Sequence, residues 1–258
     1  AISVLPLLWT LSSAFKVEAD IFASPPSLLP NPFTLDGFRN VFDQYPVARW
    51  TFNSLLISGV ATALGVLVSA MAGYAFATYD FRGRDALFGV VMLALIIPFI
   101  ALVVPLYVVV SRMGLVNTYA GVILPQVAQP FGIFLMRQFT LQTVPDQVLQ
   151  AARLDGASEF RIFFRIVLPL LRPGIAALGV WLFLLTYNNF LWPLMVLTDA
   201  AHQTLPVGLA SLANSVGTQQ QYSLLMAGAV TAALPALLVF AALRKQFVRS
   251  LTRGALAN

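Results

Sequence analysis

The chain has 258 residues, of which 59% are hydrophobic and only 10% are charged, and its mean hydropathy is +0.83. Soluble domains carry about 25% charged residues, so this composition excludes an ordinary soluble domain and predicts an all-α integral membrane protein. The absence of cysteine excludes disulfides and thiolate metal sites, and the net charge of +5 comes from basic residues scattered between apolar segments, which favours anionic lipid and topology over nucleic acid.

The N-terminal part predicts a short apolar stretch followed by a polar loop. Residues 1–14 are apolar but shorter than the roughly 20 residues that a helix needs to cross the hydrocarbon, which predicts a truncated first span and not a cleavable signal peptide. Residues 15–50 are polar and rich in proline, so we expect an ordered external loop. The whole chain, residues 1–258, is predicted to form one transmembrane domain.

The second span is predicted over residues 52–77 and carries a ridge of small side chains. Gly65, Ser69 and Gly73 recur at four-residue spacing, so they share one helix face and allow another helix to approach closely. The approaching helix could belong to the same chain or to a partner subunit.

The third span is predicted to be kinked by proline, and the fourth is predicted to be unusually polar. A polar turn at residues 80–85 precedes a third span over 87–110, where Pro98 and Pro105 should kink the helix. The fourth span, residues 119–139, contains Pro125, Gln126, Gln129 and Pro130, which makes it polar for a helix that faces lipid.

Two further spans follow a long polar loop at residues 143–173. The fifth is predicted over 174–192 and the sixth over 222–243, with an external loop at 193–221 between them. The chain is therefore predicted to cross the membrane six times.

The 143–173 loop is the most charged stretch, and its first half predicts a short helix. Thr143, Pro145 and Asp146 are typical of a helix start, because the hydroxyl and carboxylate can accept the free amide protons of the first turn. The helix should run to about Leu154, and Gly156 should allow the left-handed turn that ends it.

The second half of the loop predicts a second amphipathic helix. Phe160, Phe163, Phe164 and Val167 stand at i, i+3, i+4 and i+7, so we expect them on one face, with Pro169 and Pro173 closing the helix. Such a helix pair could be held in a groove of a soluble partner. Its apolar face could instead lie on the bilayer surface.

Basic residues predict the orientation. One side of the membrane would collect the 80–85 turn, the 143–173 loop and the C-terminal tail, which together hold Arg82, Arg84, Arg137, Arg153, Arg161, Arg165, Arg172, Arg244, Lys245, Arg249 and Arg253. Lys16, Arg39, Arg49 and Arg112 would face the other way. The positive-inside bias makes the first side cytoplasmic.

The 143–173 loop resembles the EAA loop of ABC importer permeases, whose pattern is E-A-A-x3-G-x9-I-x-L-P. Gln150-Ala151-Ala152, Gly156 and Ile166-Val167-Leu168-Pro169 carry the match, with Gln150 in place of the usual Glu. The resemblance implies a helix-turn-helix that couples to a cytoplasmic ATPase dimer, within the six-helix type I permease fold. It assigns the coupling contacts to Gln150, Ala151, Ala152, Asp155, Gly156, Phe160, Phe163, Phe164 and Pro169.

Other stretches resemble the carbohydrate-uptake branch of these permeases, the MalG-like type. They are Phe52-Asn53-Ser54-Leu55, residues 187–194, Thr204-Leu205-Pro206-Val207-Gly208-Leu209, and residues 247–255. Tyr187 and Ser250 depart from that type, which usually has Trp and Gly there. The resemblance implies a prokaryotic inner-membrane location, a second homologous permease subunit, a solute-binding protein and a sugar-like solute.

The sequence holds no catalytic or metal site of its own that we can identify. Its two lysines, Lys16 and Lys245, lie in no G-x-x-x-x-G-K-[ST] phosphate loop, so we expect ATP and Mg²⁺ to bind the partner ATPase. His202 is predicted to be an isolated, solvated loop residue. The spans hold no ionisable residue near mid-bilayer, which disfavours the alternative of an ATP-independent secondary carrier or channel.

Uncharged polar and aromatic groups are the candidates for a sugar path. Amides offer the donors and acceptors that sugar hydroxyls need, and aromatic rings stack on sugar carbons. The candidates are Gln126, Gln129, Tyr187, Asn188, Asn189 and Trp192. The same groups could instead serve helix packing and interfacial anchoring.

Overall fold

A computed structural model of the chain describes residues 4–216 and 221–255, without the side chains of 214–216, 240 and 242–255. Every regular element in this part of the chain is helical. The α-helices are α1 Leu5–Ser13, α2 Glu18–Ile21, α3 Asp36–Gln44, α4 Val47–Thr78, α5 Arg84–Ile96, α6 Phe99–Arg112, α7 Tyr119–Ile123, α8 Pro130–Thr143, α9 Asp146–Leu154, α10 Glu159–Ile162, α11 Leu168–Leu170, α12 Arg172–Tyr187, α13 Leu191–Val196, α14 Leu205–Val216 and α15 Tyr222–Ala255. A 3-10 turn, Leu124–Gln126, follows α7, and a π turn, Phe163–Val167, joins α10 to α11.

The helices account for the predicted spans in three ways. Helix α4 and the Tyr222–Val239 part of α15 are each long and apolar enough to cross a membrane alone. Two further candidate spans are pairs of helices that meet at a bend, α5 with α6 and α7 with α8, while α12 occupies the predicted fifth span and follows the Glu159–Leu170 segment of the 143–173 loop at a bend. Helix α1, with 9 residues, occupies the predicted first span and is shorter than a full crossing. This confirms the predicted all-α membrane fold.

The third span is two helices and not one kinked helix. Helices α5 and α6 meet at 108°. The residue before a proline is pushed out of the helical conformation, and Ile97 is accordingly extended, with Pro98 extended after it. Pro105 lies inside α6 without breaking it. The break before Pro98 therefore ends α5, whereas α6 continues through Pro105.

The fourth and fifth spans also differ from the prediction, because each is interrupted. Helix α8 starts at Pro130 after an extended Gln129, at 43° to the preceding helical segment. Helix α12 stops at Tyr187, and Trp192 belongs to the separate helix α13, so the predicted fifth span was too long. The residues between α12 and α13 thus have non-helical backbone.

The predicted external loops contain short helices in one compact unit, formed by Ala1–Leu56, Val116–Tyr119 and Tyr187–Leu238. The first turns of α4 hold residues 199–206 in place. The buried Asn53 amide donates to the carbonyls of Ala201 at 3.0 Å and Gln203 at 2.9 Å, and accepts from Tyr119 Oη at 2.7 Å. Within the same unit, the Glu18 carboxylate accepts the first backbone N–H groups of α15, which the helix dipole favours.

His202 is not an isolated loop residue, which corrects its prediction. Its Nδ1 atom lies 3.6 Å from Asp199 Oδ2, and its ring packs edge-on against Tyr119 at 5.4 Å between centroids. The predicted loop at 193–221 includes Gln219 and Gln220, which lie outside the described residues.

A second compact unit, formed by Ile57–Leu115, Ala120–Thr186 and Val239–Asn258, contains the small-residue ridge. A Cβ at Gly73 would lie 2.6 Å from the backbone nitrogen of Arg137, and Ser69 Oγ lies against Gly132. Both neighbours belong to α8 of the same chain, while Gly65 faces Leu182 of α12. The ridge therefore serves packing within this chain, which answers the question that the sequence left open.

Candidate functional site: the 143–173 loop

Helix α9 forms the first half of the loop, but it does not begin at Thr143. Thr143 is the last residue of α8, and its hydroxyl donates to the Phe139 carbonyl at 2.6 Å. Thr143 therefore caps nothing in α9, because its side chain is used by the preceding helix. Helix α9 begins at Asp146, after an extended Pro145, and ends at Leu154.

Gly156 makes the turn between the two halves, as predicted. Its φ of +75° lies in the left-handed region that glycine adopts at little cost. The Ala157 N–H returns to the Ala152 carbonyl at 3.0 Å, and the Gly156 N–H to the Arg153 carbonyl at 3.0 Å. These two bonds are typical of a Schellman-type helix end, so the turn is well defined.

The second half continues from α10 through the π turn and α11 to Leu170 before the direction changes by 79° at α12. Pro169 lies inside this continuous segment, in α11 just after the π turn. The helical segment therefore ends at Leu170, between the two prolines that were predicted to close it. The break comes at Leu171, directly before α12.

The predicted single apolar face of the second half is divided in two. Phe163 and Val167 are buried, whereas Phe160 is 71% exposed and Phe164 is 46% exposed. Ile162 is completely buried as well, so the side of this segment that contains Ile162 and Phe163 faces the core. Phe160 and Phe164 remain on the uncovered side.

The buried side of the loop packs into the core of the second compact unit. Leu149 and Ala152 from α9 join Ile162, Phe163 and Val167 in one cluster with Tyr74 of α4. Burying a large apolar side chain contributes roughly 1.5–3 kcal/mol relative to leaving it exposed. The loop is therefore a firmly held part of this unit.

The uncovered side presents an apolar surface around the Gly156 turn. Leu154 is 89% exposed at the end of α9, and Phe160 follows the turn. The other predicted coupling residues divide by burial: Gln150, Ala151, Asp155 and Gly156 are exposed, Pro169 is half-buried, and Ala152 is buried. We define the docking surface as Gln150, Ala151, Leu154, Phe160 and Phe164.

A polar cluster joins both halves of the loop to α4. Glu159 Oε1 accepts from Arg153 Nε at 2.8 Å, and Glu159 Oε2 accepts from Tyr79 Oη at 2.6 Å. Tyr79 directly follows α4, so one carboxylate connects three segments. The Tyr79 ring also packs edge-on against Tyr74 at 5.5 Å between centroids, and Tyr74 contacts Phe163 at 5.6 Å.

The cluster shifts the ionisation of its members. The hydrogen bonds from Arg153 and then from Tyr79 lower the pKa of Glu159, while burial and then the Glu159 contact raise the pKa of Tyr79. A lowered carboxylate pKa means that the stabilisation is present above the ordinary value of 4.5 and is lost as pH falls through the lowered value. Because the Arg153 and Glu159 side chains are 38% and 45% exposed, solvent screening keeps this contribution small.

Two candidate path residues of the second compact unit, Gln126 and Gln129, bond to nearby backbone. Gln126 is buried and its amide donates to the Val122 carbonyl at 3.3 Å. The Gln129 amide donates to the Gln126 carbonyl at 3.1 Å. These donors are used locally in the broken fourth span.

The other path candidates surround the break between α12 and α13. Tyr187 is buried and donates to the Ala232 carbonyl at 3.1 Å, and Trp192 is fully buried. Asn189 Oδ1 accepts from the Trp192 backbone N–H in the first turn of α13 at 3.3 Å. Asn188 alone of these four is exposed. Tyr187 and Trp192 therefore pack inside the chain and do not line an open path in this conformation.

Sequence reasoning missed Leu154 and the Glu159 cluster. Nothing in the sequence pairs Tyr79 with Glu159, 80 positions later.

Comparison with known proteins shows which family the chain belongs to. The family profile described as "Binding-protein-dependent transport system inner membrane component" matches residues 65–254. A solved bacterial ABC transporter involved in the import of the acidic polysaccharide alginate shares the fold, with a TM-score of 0.84 at 18% identity over 95% of this chain and 91% of that chain.

Curated relatives match over almost their whole length. The arabinooligosaccharides transport system permease protein AraQ of Halalkalibacterium halodurans is 40% identical over 98% of this chain and 91% of its own. The lactose transport system permease protein LacG of Rhizobium radiobacter is 35% identical over 97% and 90%, and the sn-glycerol-3-phosphate permease protein UgpE of Yersinia enterocolitica is 31% identical over 97% and 92%. The chain is therefore a multi-pass membrane protein that belongs to the inner-membrane permease components of binding-protein-dependent ABC importers.

Proposed function

We propose that the chain is the permease subunit of an ATP-driven importer for an oligosaccharide or a similar sugar-like solute, located in the prokaryotic inner membrane. A second, homologous permease completes the path, an external binding protein delivers the solute, and a cytoplasmic ATPase dimer binds ATP and Mg²⁺. The 143–173 loop passes the movement of the ATPase to the membrane helices. The observation that carries this proposal is the docking surface, an exposed apolar area on a loop whose other side is buried.

Burial on one side and exposure on the other support the coupling role. A flexible loop would deform when a partner moved it, whereas this loop is packed against α4 through the contact of Phe163 with Tyr74. The exposed Leu154 and Phe160 can fill a cleft in a partner, and exposed apolar anchors of this kind dominate protein interfaces. Gln150 adds a neutral hydrogen-bonding group beside them in place of a charge.

The orientation is supported by the Tyr79–Glu159 hydrogen bond. Tyr79 directly precedes the 80–85 turn, so this turn and the 143–173 loop lie on the same side of the membrane. Arg82, Arg84 and the loop arginines are thereby collected on one side, which the positive-inside bias makes cytoplasmic.

The solute class follows from the curated relatives. Their names specify arabinooligosaccharides, lactose and sn-glycerol-3-phosphate, which are sugars or a polyol phosphate. All three carry hydroxyl groups that neutral amides can recognise. An oligosaccharide fits the group best, since the relative at 40% identity is named for one.

Co-purification tests the assembly. The tagged chain, expressed with the ATPase and second permease of its own transporter, should retain both subunits in detergent, and solute uptake into proteoliposomes should require ATP. A tagged chain that retained no ATPase, or that concentrated solute in vesicles without nucleotide, would contradict the proposal.

Asn188 offers the sharper test of the path. It is the exposed polar residue in the α12–α13 break, so Asn188→Ala should remove a solute contact and raise the solute concentration for half-maximal uptake by about tenfold, as expected for a hydrogen bond worth roughly 1.5 kcal/mol. For Asn188→Gln, which keeps the amide, this concentration should lie between those of the unmodified protein and Asn188→Ala. ATPase retention should be equal in all three proteins, and unchanged uptake by Asn188→Ala would remove Asn188 from the path.

A further inference from the structure

Glu159 makes contacts that its position in the helix does not require. It lies in the first turn of α10, where any carboxylate gains from the helix dipole without a side-chain partner. Here each carboxylate oxygen has its own donor, Arg153 on α9 and Tyr79 at the end of α4. The dipole explains an acidic residue at this position, but not a carboxylate that joins three segments.

The aromatic contacts add a second attachment of the same segment to α4. Phe163 packs against Tyr74, and Tyr74 packs against Tyr79. Glu159 and Phe163 are four residues apart, so they reach α4 from neighbouring turns of one helical segment. A single contact would allow the segment to swivel, whereas two contacts at this spacing fix both its distance and its direction.

Arg153 extends this attachment to α9. The two halves of the loop are joined covalently through the Gly156 turn, which is held by two backbone hydrogen bonds. Across that turn, the Arg153–Glu159 ion pair is a direct polar link between the halves. Without it, α9 could tilt relative to α10 while the apolar contacts of each half remained.

We propose that Glu159 is a positioning residue for energy coupling, because its carboxylate binds Arg153 and Tyr79 and so makes α9, α10 and the end of α4 move as one body. This inference rests on the proposed coupling of the 143–173 loop to an ATPase. Movement imposed on the docking surface is then passed to α4 with no loss in the loop.

Distance measurements between spin labels test the rigid connection. The chain has no native cysteine, so Met71→Cys on α4 and Gln147→Cys on α9 provide a single labelled pair without background. The labelled permease is assembled with its ATPase and second permease in nanodiscs, and the distance distribution is recorded with and without ATP and Mg²⁺. The unmodified cluster should give one narrow distribution that nucleotide does not change.

Two substitutions should loosen the connection without removing its bulk. Glu159→Gln removes the charge that pairs with Arg153, and Tyr79→Phe removes one hydroxyl, so both should broaden the distribution and make it respond to nucleotide. ATP-driven uptake per ATP hydrolysed should fall by about fivefold, which corresponds to the loss of an exposed ion pair. The double variant should lower uptake per ATP no further than the more severe single variant does, since both substitutions act on the same carboxylate.

Asp146→Asn is the matched control, because it neutralises an exposed carboxylate of the same loop outside the cluster. It should behave as the unmodified protein. A narrow, nucleotide-independent distribution in both Glu159→Gln and Tyr79→Phe would overturn the inference. Loss of the ATPase from the unmodified protein would instead refute the coupling role. The distance distributions recorded without nucleotide would still show whether Glu159 connects the segments rigidly.

Discussion

Replacing Leu154 or Phe160 with aspartate is expected to detach the ATPase from this permease and to abolish uptake, while the permease itself stays folded. The Leu154 side chain is 89% exposed and that of Phe160 is 71% exposed, so neither supports the core. A carboxylate at either position would place a charge on an apolar docking surface, where its burial by a partner is costly. Removal of a central interface anchor costs about 2 kcal/mol or more, so retention of the ATPase should fall by at least about 30-fold.

The measurement compares ATPase retained per tagged permease, with uptake as the second readout. Leu154→Met is the matched control, since it keeps the volume and apolarity of the side chain and should retain the ATPase. Thermal unfolding of the purified permease alone should be the same for Leu154→Asp and the unmodified protein. If Leu154→Asp and Phe160→Asp both retained the ATPase fully, the partner would have to bind elsewhere on the chain.

The bilayer alternative makes a different prediction for the same residues. A loop whose apolar side lies on the membrane would place Leu154 and Phe160 among the lipid headgroups. A spin label at a Leu154→Cys variant would then be relaxed by oxygen dissolved in the lipid. Docking on a soluble partner predicts that the label is reached by a water-soluble relaxing agent in the free permease and protected when the ATPase binds.

Local sequence patterns predicted the parts of the loop that depend on neighbouring residues. The end of α9 near Leu154 and the left-handed Gly156 follow from helix propensity and from the special conformational freedom of glycine. The resemblance to the family followed from spacing along the chain, which folding does not alter. Thr143 was placed wrongly because a hydroxyl can serve the helix before it as well as the one after it.

The division of the apolar face could not be predicted from period alone. Phe160, Phe163, Phe164 and Val167 satisfy the helical spacing equally well, and only the position of α4 decides which pair is covered. Similarly, Asn188 and Trp192 lie close together in sequence, yet one is exposed and the other fully buried, because the chain leaves the helix between them. Pro98 marked the break between α5 and α6 but not its angle, and Pro105 marked no break.

The second large effect is expected at Gly73, where alanine should destabilise the protein although alanine favours helices. A Cβ at Gly73 would lie 2.6 Å from the Arg137 backbone nitrogen and 2.7 Å from Met136 Cβ, distances at which α4 and α8 must separate. Overpacking of this kind costs about 1–3 kcal/mol, and the backbone contact puts Gly73→Ala at the upper end. Folded protein in membranes and resistance to unfolding in mixed micelles should both fall.

Gly59 provides the control within the same helix. A Cβ there meets nothing within 4 Å, so Gly59→Ala should gain the helix preference of alanine, up to about 0.5–1 kcal/mol, and unfold no earlier than the unmodified protein. Gly73 also lies six residues before Tyr79, so a displaced α8 should disturb the attachment of the 143–173 loop, and folded Gly73→Ala protein should couple poorly to ATP. Equal stability of the two variants would mean that α4 and α8 do not approach as closely as described, and the small-residue ridge would then be free to pack against the partner permease.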